Sequence, residues 1–135
     1  MKRALICGAV VLNIASFSEA EAASAQREQL EKVREARRAL AICRAQYEIP
    51  RILAVKVAYK DKIEAQKKLA EMKEAVQNGA KEACASHNKK LQMEATKGIM
   101  QGLSVEEMVK GSEEEGLKIY KQFMKIMLDK IKEKQ

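Results

Sequence analysis

Three side chains could do chemistry beyond simple charge: Cys43, Cys84 and His87, the last being the sole histidine. Cys84 and His87 stand three apart, the spacing that puts two ligands on one helical face. A tetrahedral zinc site needs four donors, and nothing nearby supplies the other two. A Cys–His nucleophile also needs an orienting acid and an oxyanion hole, and neither is recognisable. Glycines follow neither G-x-G-x-x-G nor the P-loop pattern, and the carboxylates are scattered along helix surfaces without a paired signature. The expectation is a protein that is not an enzyme and holds no metal or other cofactor.

The two cysteines have a second chemistry, a bridge. The chain opens with Met1-Lys2-Arg3, an apolar run from Ala4 to Leu12, and Ala20-Glu21-Ala22, with Ala23-Ser24-Ala25 as a second small-residue site. That order of basic, apolar and small residues is a secretory leader, and the apolar run is too short to span a bilayer. Residues 1–22 are therefore expected to be cleaved, Cys7 leaving with them, and residues 23–135 to form one helical domain in the periplasm or outside the cell. An even pair of cysteines in an oxidising compartment normally closes a disulfide. A Cys43–Cys84 bridge would stabilise the fold by about 4 kcal/mol on the chain-entropy estimate.

The elements that position the pair create a conflict. Ser24 to Ile49 reads as a first helix, with Leu30, Val33, Ala36, Leu40, Cys43 and Tyr47 as a heptad-like seam. Arg34, Arg37 and Arg38 beside it read as a solvated face among Glu31 and Glu35. Pro50 lacks an amide donor and suggests a turn over Glu48–Arg51. Ile52 to Asn78 then reads as a long amphipathic helix, with Val55, Tyr59, Ile63, Leu69, Met72 and Val76 on one face and Asn78-Gly79 as its stop. A straight helix from Arg51 to Asn78 would be about 42 Å long, whereas bridged cysteines need Cα atoms within about 7 Å. Two arrangements stay open. Either this second helix is broken, around Val55–Tyr59, and the cysteines are bridged, or it is straight and the thiols are free or join two chains. The seam of the first helix would serve equally for a homodimer.

A third helix is expected over Ala80–Lys97, with a thin apolar face from Ala83, Cys84, Leu91 and Ala95. Residues 98–116 form a Gly-punctuated linker. Ser104-Val105-Glu106-Glu107 is a capping box opening a short helix through Val109, and Ser112-Glu113-Glu114-Glu115 a second one opening the last helix, which occupies 112–134. The fold class is all-α: a small helical bundle or hairpin of three to five helices with an amphipathic C-terminal helix.

Composition agrees, with 33% charged residues, one proline, no tryptophan and a net charge of +7. A basic chain favours acidic partners. Nucleic acid is not expected among them, because the few aromatics sit on apolar helix faces rather than among basic residues. From Gly116 to Gln135 there are six lysines and two acids beside a broad apolar face. Two functions follow as expectations. One is chaperone-like or accessory binding of a protein partner in the envelope or outside the cell, through an adaptable Met-rich face of Met100, Met108, Phe123, Met124 and Met127. The other is contact with an anionic membrane surface through Lys118, Lys121 and Lys125.

Overall fold

The computed structural model describes residues 2–134, with side chains described from Glu19 onward. The expected leader, 1–22, thus lies largely outside the described side chains. Five helices follow one another without strands among the described residues: α1 (Lys2–Ala58), α2 (Lys62–Ala83), α3 (Ala85–Met100), α4 (Val105–Val109) and α5 (Ser112–Glu133). The protein is an all-α helical bundle. None of the described helices is long and apolar enough to cross a membrane.

Helix α1 is the spine, and its course corrects the expected turn at Pro50: the helix continues through the proline to Ala58. An interior proline removes one backbone hydrogen bond and costs about 3 kcal/mol. Burial outweighs that cost here. Ile49, Leu53 and Val55 are all buried in the core, and a turn at Pro50 would take the last two out of it. Arg51 braces the weakened turn. It donates from Nη1 to the Tyr47 carbonyl at 2.7 Å and stacks 3.5 Å from the centroid of the Tyr47 ring.

The break falls instead at Tyr59–Asp61, just after the β-branched stretch. Asp61 caps α2, its carboxylate accepting from the Ile63 amide at 3.1 Å. The chain then turns back along α1. Tyr47 lies against Gly79, Cys43 is bonded to Cys84, Gln29 meets Glu94 and Gln26 meets Gln101. Numbers fall on one side as they rise on the other, so α2 and α3 run antiparallel to α1.

Gly79 does not end α2, contrary to the expected stop. A Cβ there would stand 2.6 Å from Cζ of Tyr47, so glycine serves close approach at this position. The bend comes at Cys84, the residue between α2 and α3. Its amide still donates to the Ala80 carbonyl at 2.9 Å and its carbonyl accepts from Asn88 at 3.0 Å. The hydrogen-bond ladder thus bends there without being cut. Cys43 and Cys84 form a disulfide with a Cα–Cα distance of 5.9 Å, and Cys84 is fully buried. Of the two arrangements open to the sequence, the bridged one with a broken second helix is observed.

Two clusters form the core. Val33, Leu103 and Met108 gather Leu30, Leu91 and Ala95 near the α3–α4 end. Ala45, Ile49, Leu53 and Ile119 gather Tyr120, Phe123, Met124, Met127 and Ile131, which seats α5 on α1. Arg37 and Arg38, expected on a solvated face, fasten these later elements. Arg37 donates to the carbonyls of Met108 and Lys110 at the end of α4, and Arg38 pairs with Glu115 of α5 at 2.6 Å. Ser104 caps α4 as expected, accepting from the Glu107 amide at 3.1 Å. The second capping box does not form. Gly111, at φ +73°, occupies the cap position of α5 and Ser112 is already helical.

Candidate binding groove

How α2 meets α1 determines where space is left. The buried residues of α2 are Ala65 and Ala80, and Gly79 supports the ring of Tyr47. These small residues let the backbones approach. The large apolar residues of α2, Leu69, Met72 and Val76, recur at steps of three and four and so share a face. They lie on the same face as Ala65 and Ala80, between those two residues along the helix, and remain only half-buried. With Ile52, Glu48 and Arg51 of α1, and with Lys73, they line an open groove of about 310 Å3.

A second hollow, of about 460 Å3, lies between α1, α3 and α5. Arg37, Arg44, Glu48, Asn88, Leu91 and Tyr120 are among the residues lining it. Glu48 lines both hollows, so the two adjoin along one side of α1, apolar toward α2 and more polar toward α5. Burial raises the Glu48 carboxyl above the ordinary glutamate range, with the Arg44 guanidinium opposing the shift. Tyr120 is raised too, first by burial and then by the charge of Glu48. Outside the groove, the amide of the buried Gln29 donates to the Glu94 carboxylate at 2.8 Å, and this is the chief cause of a lowered Glu94 carboxyl.

A third hollow between α1 and α3, about 640 Å3, is lined by Lys32, Glu35, Ser86, His87, Lys90 and Glu94, with Ala36 and Ala39. His87 is half-buried there. Its neighbour Cys84 is committed to the disulfide and so offers no thiolate beside His87 for a metal or a nucleophile. Among the described residues no cluster of His, Cys, Asp and Glu could hold a metal ion.

The residues expected at a partner surface are distributed over the molecule. Met108 is core, 5% exposed, while Met100 is 81% exposed at the end of α3. Phe123, Met124 and Met127 are brought together, half-buried on the α1 side of α5. Lys118, Lys121 and Lys125 are all exposed. The groove residues Leu69, Met72 and Val76 were visible as an apolar stripe. The sign that they would stay uncovered was the small residues at either end of the stripe, Ala65 before it and Gly79 and Ala80 after it, which make the closer contact. Val55 belongs to α1, and Ile63 of the same stripe is 66% exposed.

Comparison with known proteins found no matching family model, no matching curated protein and no matching solved structure.

Proposed function

We propose that this protein is an exported, non-catalytic binding module that works in the periplasm or outside the cell. Its site is the groove of Ile52, Leu69, Met72 and Val76, which takes an amphipathic helix of an acidic protein partner. The supporting observation is the mode of α1–α2 packing: alanine and glycine make the contact, and three large apolar side chains are left along an open groove. Helix-in-groove recognition uses apolar anchors at this spacing, and Met72 can adapt its shape to different partners. Arg51 and Lys73 at the groove, with a net charge of +7, favour acidic flanks on the incoming helix and disfavour a second copy of this basic chain. The Cys43–Cys84 disulfide is compatible with an oxidising compartment.

Two synthetic helical peptides of about 18 residues, enough for five turns, provide the test. Both carry a leucine face; one has glutamates at its flanks and the other lysines. Fluorescence anisotropy should show binding of the glutamate peptide only, weakened by salt. Met72→Glu with Val76→Glu should weaken it by more than about tenfold, because a charge would be buried against leucine. Equal binding by the doubly substituted protein would refute the groove.

A further inference from the structure

Helix α5 packs on α1 through Ile119, Tyr120, Phe123, Met124, Met127 and Ile131. Its other side is free, and its composition is uneven. At about 100° per residue, Leu117, Lys118, Lys121, Lys125, Leu128 and Lys132 fall within a sector about 100° wide. All six are exposed, Leu117 at 56% and Leu128 at 41%. Between Leu117 and Lys132 no acid falls inside that sector, and Asp129 stands at its margin. The ion pairs among the described residues are Arg38–Glu115, Lys68–Glu71 and Lys97–Glu94, so the four lysines are unpaired.

We propose that this outer face of α5 is a second interaction surface, and that its partner is an anionic lipid bilayer. Charge complementarity selects the sign of the partner, and shape selects its kind. The strip is a straight line about 22 Å long on a single convex helix, which matches a plane and offers no concavity to another protein. Leu117 and Leu128 lie within the lysine strip, where they can enter the headgroup layer. The lysine stems are long enough to lie along apolar surface with their ammonium groups at the phosphates. Lysine near an anionic leaflet is attracted without needing directional contacts. The helix binds while still seated on α1, so its inner face of Phe123 and Met127 is not spent on lipid. This surface is separate from the groove and would leave it open.

Co-sedimentation with vesicles decides the matter. Vesicles of phosphatidylglycerol and phosphatidylcholine in equal parts should bind the protein at low ionic strength, and pure phosphatidylcholine vesicles should not. Lys118→Glu with Lys121→Glu and Lys125→Glu should weaken binding by about 100-fold. Lys62→Glu with Lys67→Glu and Lys81→Glu, on the exposed surface of α2, changes the net charge equally and should retain most of it. Equal loss in both variants would mean that net charge alone acts and would overturn the assignment to α5. So would absence of binding to the anionic vesicles, equal binding to the neutral ones, or polyglutamate binding without vesicle binding. Hydrogen exchange adds a geometric check: faster exchange at Ala45–Leu53 on vesicle binding would show that α5 leaves α1, against the proposal.

Discussion

Replacing Gly79 by alanine should destabilise the protein, although the same change in a helix interior normally does the opposite. Alanine gains about 1 kcal/mol over glycine from helix propensity alone. At Gly79 the new Cβ would stand 2.6 Å from Cζ and 2.9 Å from Cε1 of Tyr47, well inside van der Waals contact. The ring cannot simply swing away. Arg51 stacks on it, and the Cys43–Cys84 bridge, four residues from Tyr47 in α1 and five from Gly79 in α2, fixes the two helices at this level. Forcing one extra methyl into such a contact costs about 1–3 kcal/mol, so the expected net effect is a loss of about 1 kcal/mol. A double-mutant cycle isolates the cause. In a Tyr47→Ala background the clash is gone, and Gly79→Ala should now stabilise by about 1 kcal/mol. Urea unfolding followed by circular dichroism, with the disulfide intact, measures both steps. If Gly79→Ala stabilises the protein that retains Tyr47, the close-approach explanation of this glycine is wrong.

Two further outcomes follow. Cys43→Ser with Cys84→Ser should lower stability by about 4 kcal/mol, from the loop closed over a separation of 41 residues; thermal unfolding of the oxidised protein and the double variant measures it, and an unchanged melting temperature would contradict a bridge in the native protein. Glu48 has a raised carboxyl pKa, so the folded chain holds this proton more tightly than the unfolded chain does. Its contribution to stability is therefore lost as pH rises from the ordinary glutamate value through the raised one. Glu48→Gln should flatten that part of the stability–pH curve and bring Tyr120 back toward the ordinary tyrosine range, which spectrophotometric titration reads directly.

The helical class, the capped α4 and the extent of α5 were legible because each depends on local periodicity or a local cap. The boundaries misplaced at Pro50 and Gly79 lie where a distant contact overrides a local preference. Pro50 marks a turn by itself, but the burial of Leu53 and Val55 keeps the helix going. Asn78-Gly79 resembles a helix stop, and only the ring of Tyr47, 32 residues earlier in the numbering, shows why glycine is there. The true break does carry a local sign: Asp61 followed by Glu64 has the spacing of a capping box, and the Asp61 carboxylate caps the helix, though through the Ile63 amide rather than that of Glu64. The cysteines were the most informative residues. Requiring them to meet is enough to exclude a straight helix from Ile52 to Asn78. The groove was half-legible. Its apolar stripe was plain, but whether neighbours cover a stripe depends on which residues make the closest contact, and that is settled by three-dimensional packing.

The position of the disulfide has a consequence for wear. Glu48, Arg51, Ile52, Leu69, Met72 and Val76 all lie between Cys43 and Cys84, so both walls of the groove belong to one covalent ring, with α4 and α5 outside it. The exposed Lys60–Asp61 segment at the tip of that ring is where a protease would reach it. A cut there would open the ring without parting the walls, because the sulfur bond still ties α1 to α2. The groove should therefore keep its shape after a single break in its own backbone.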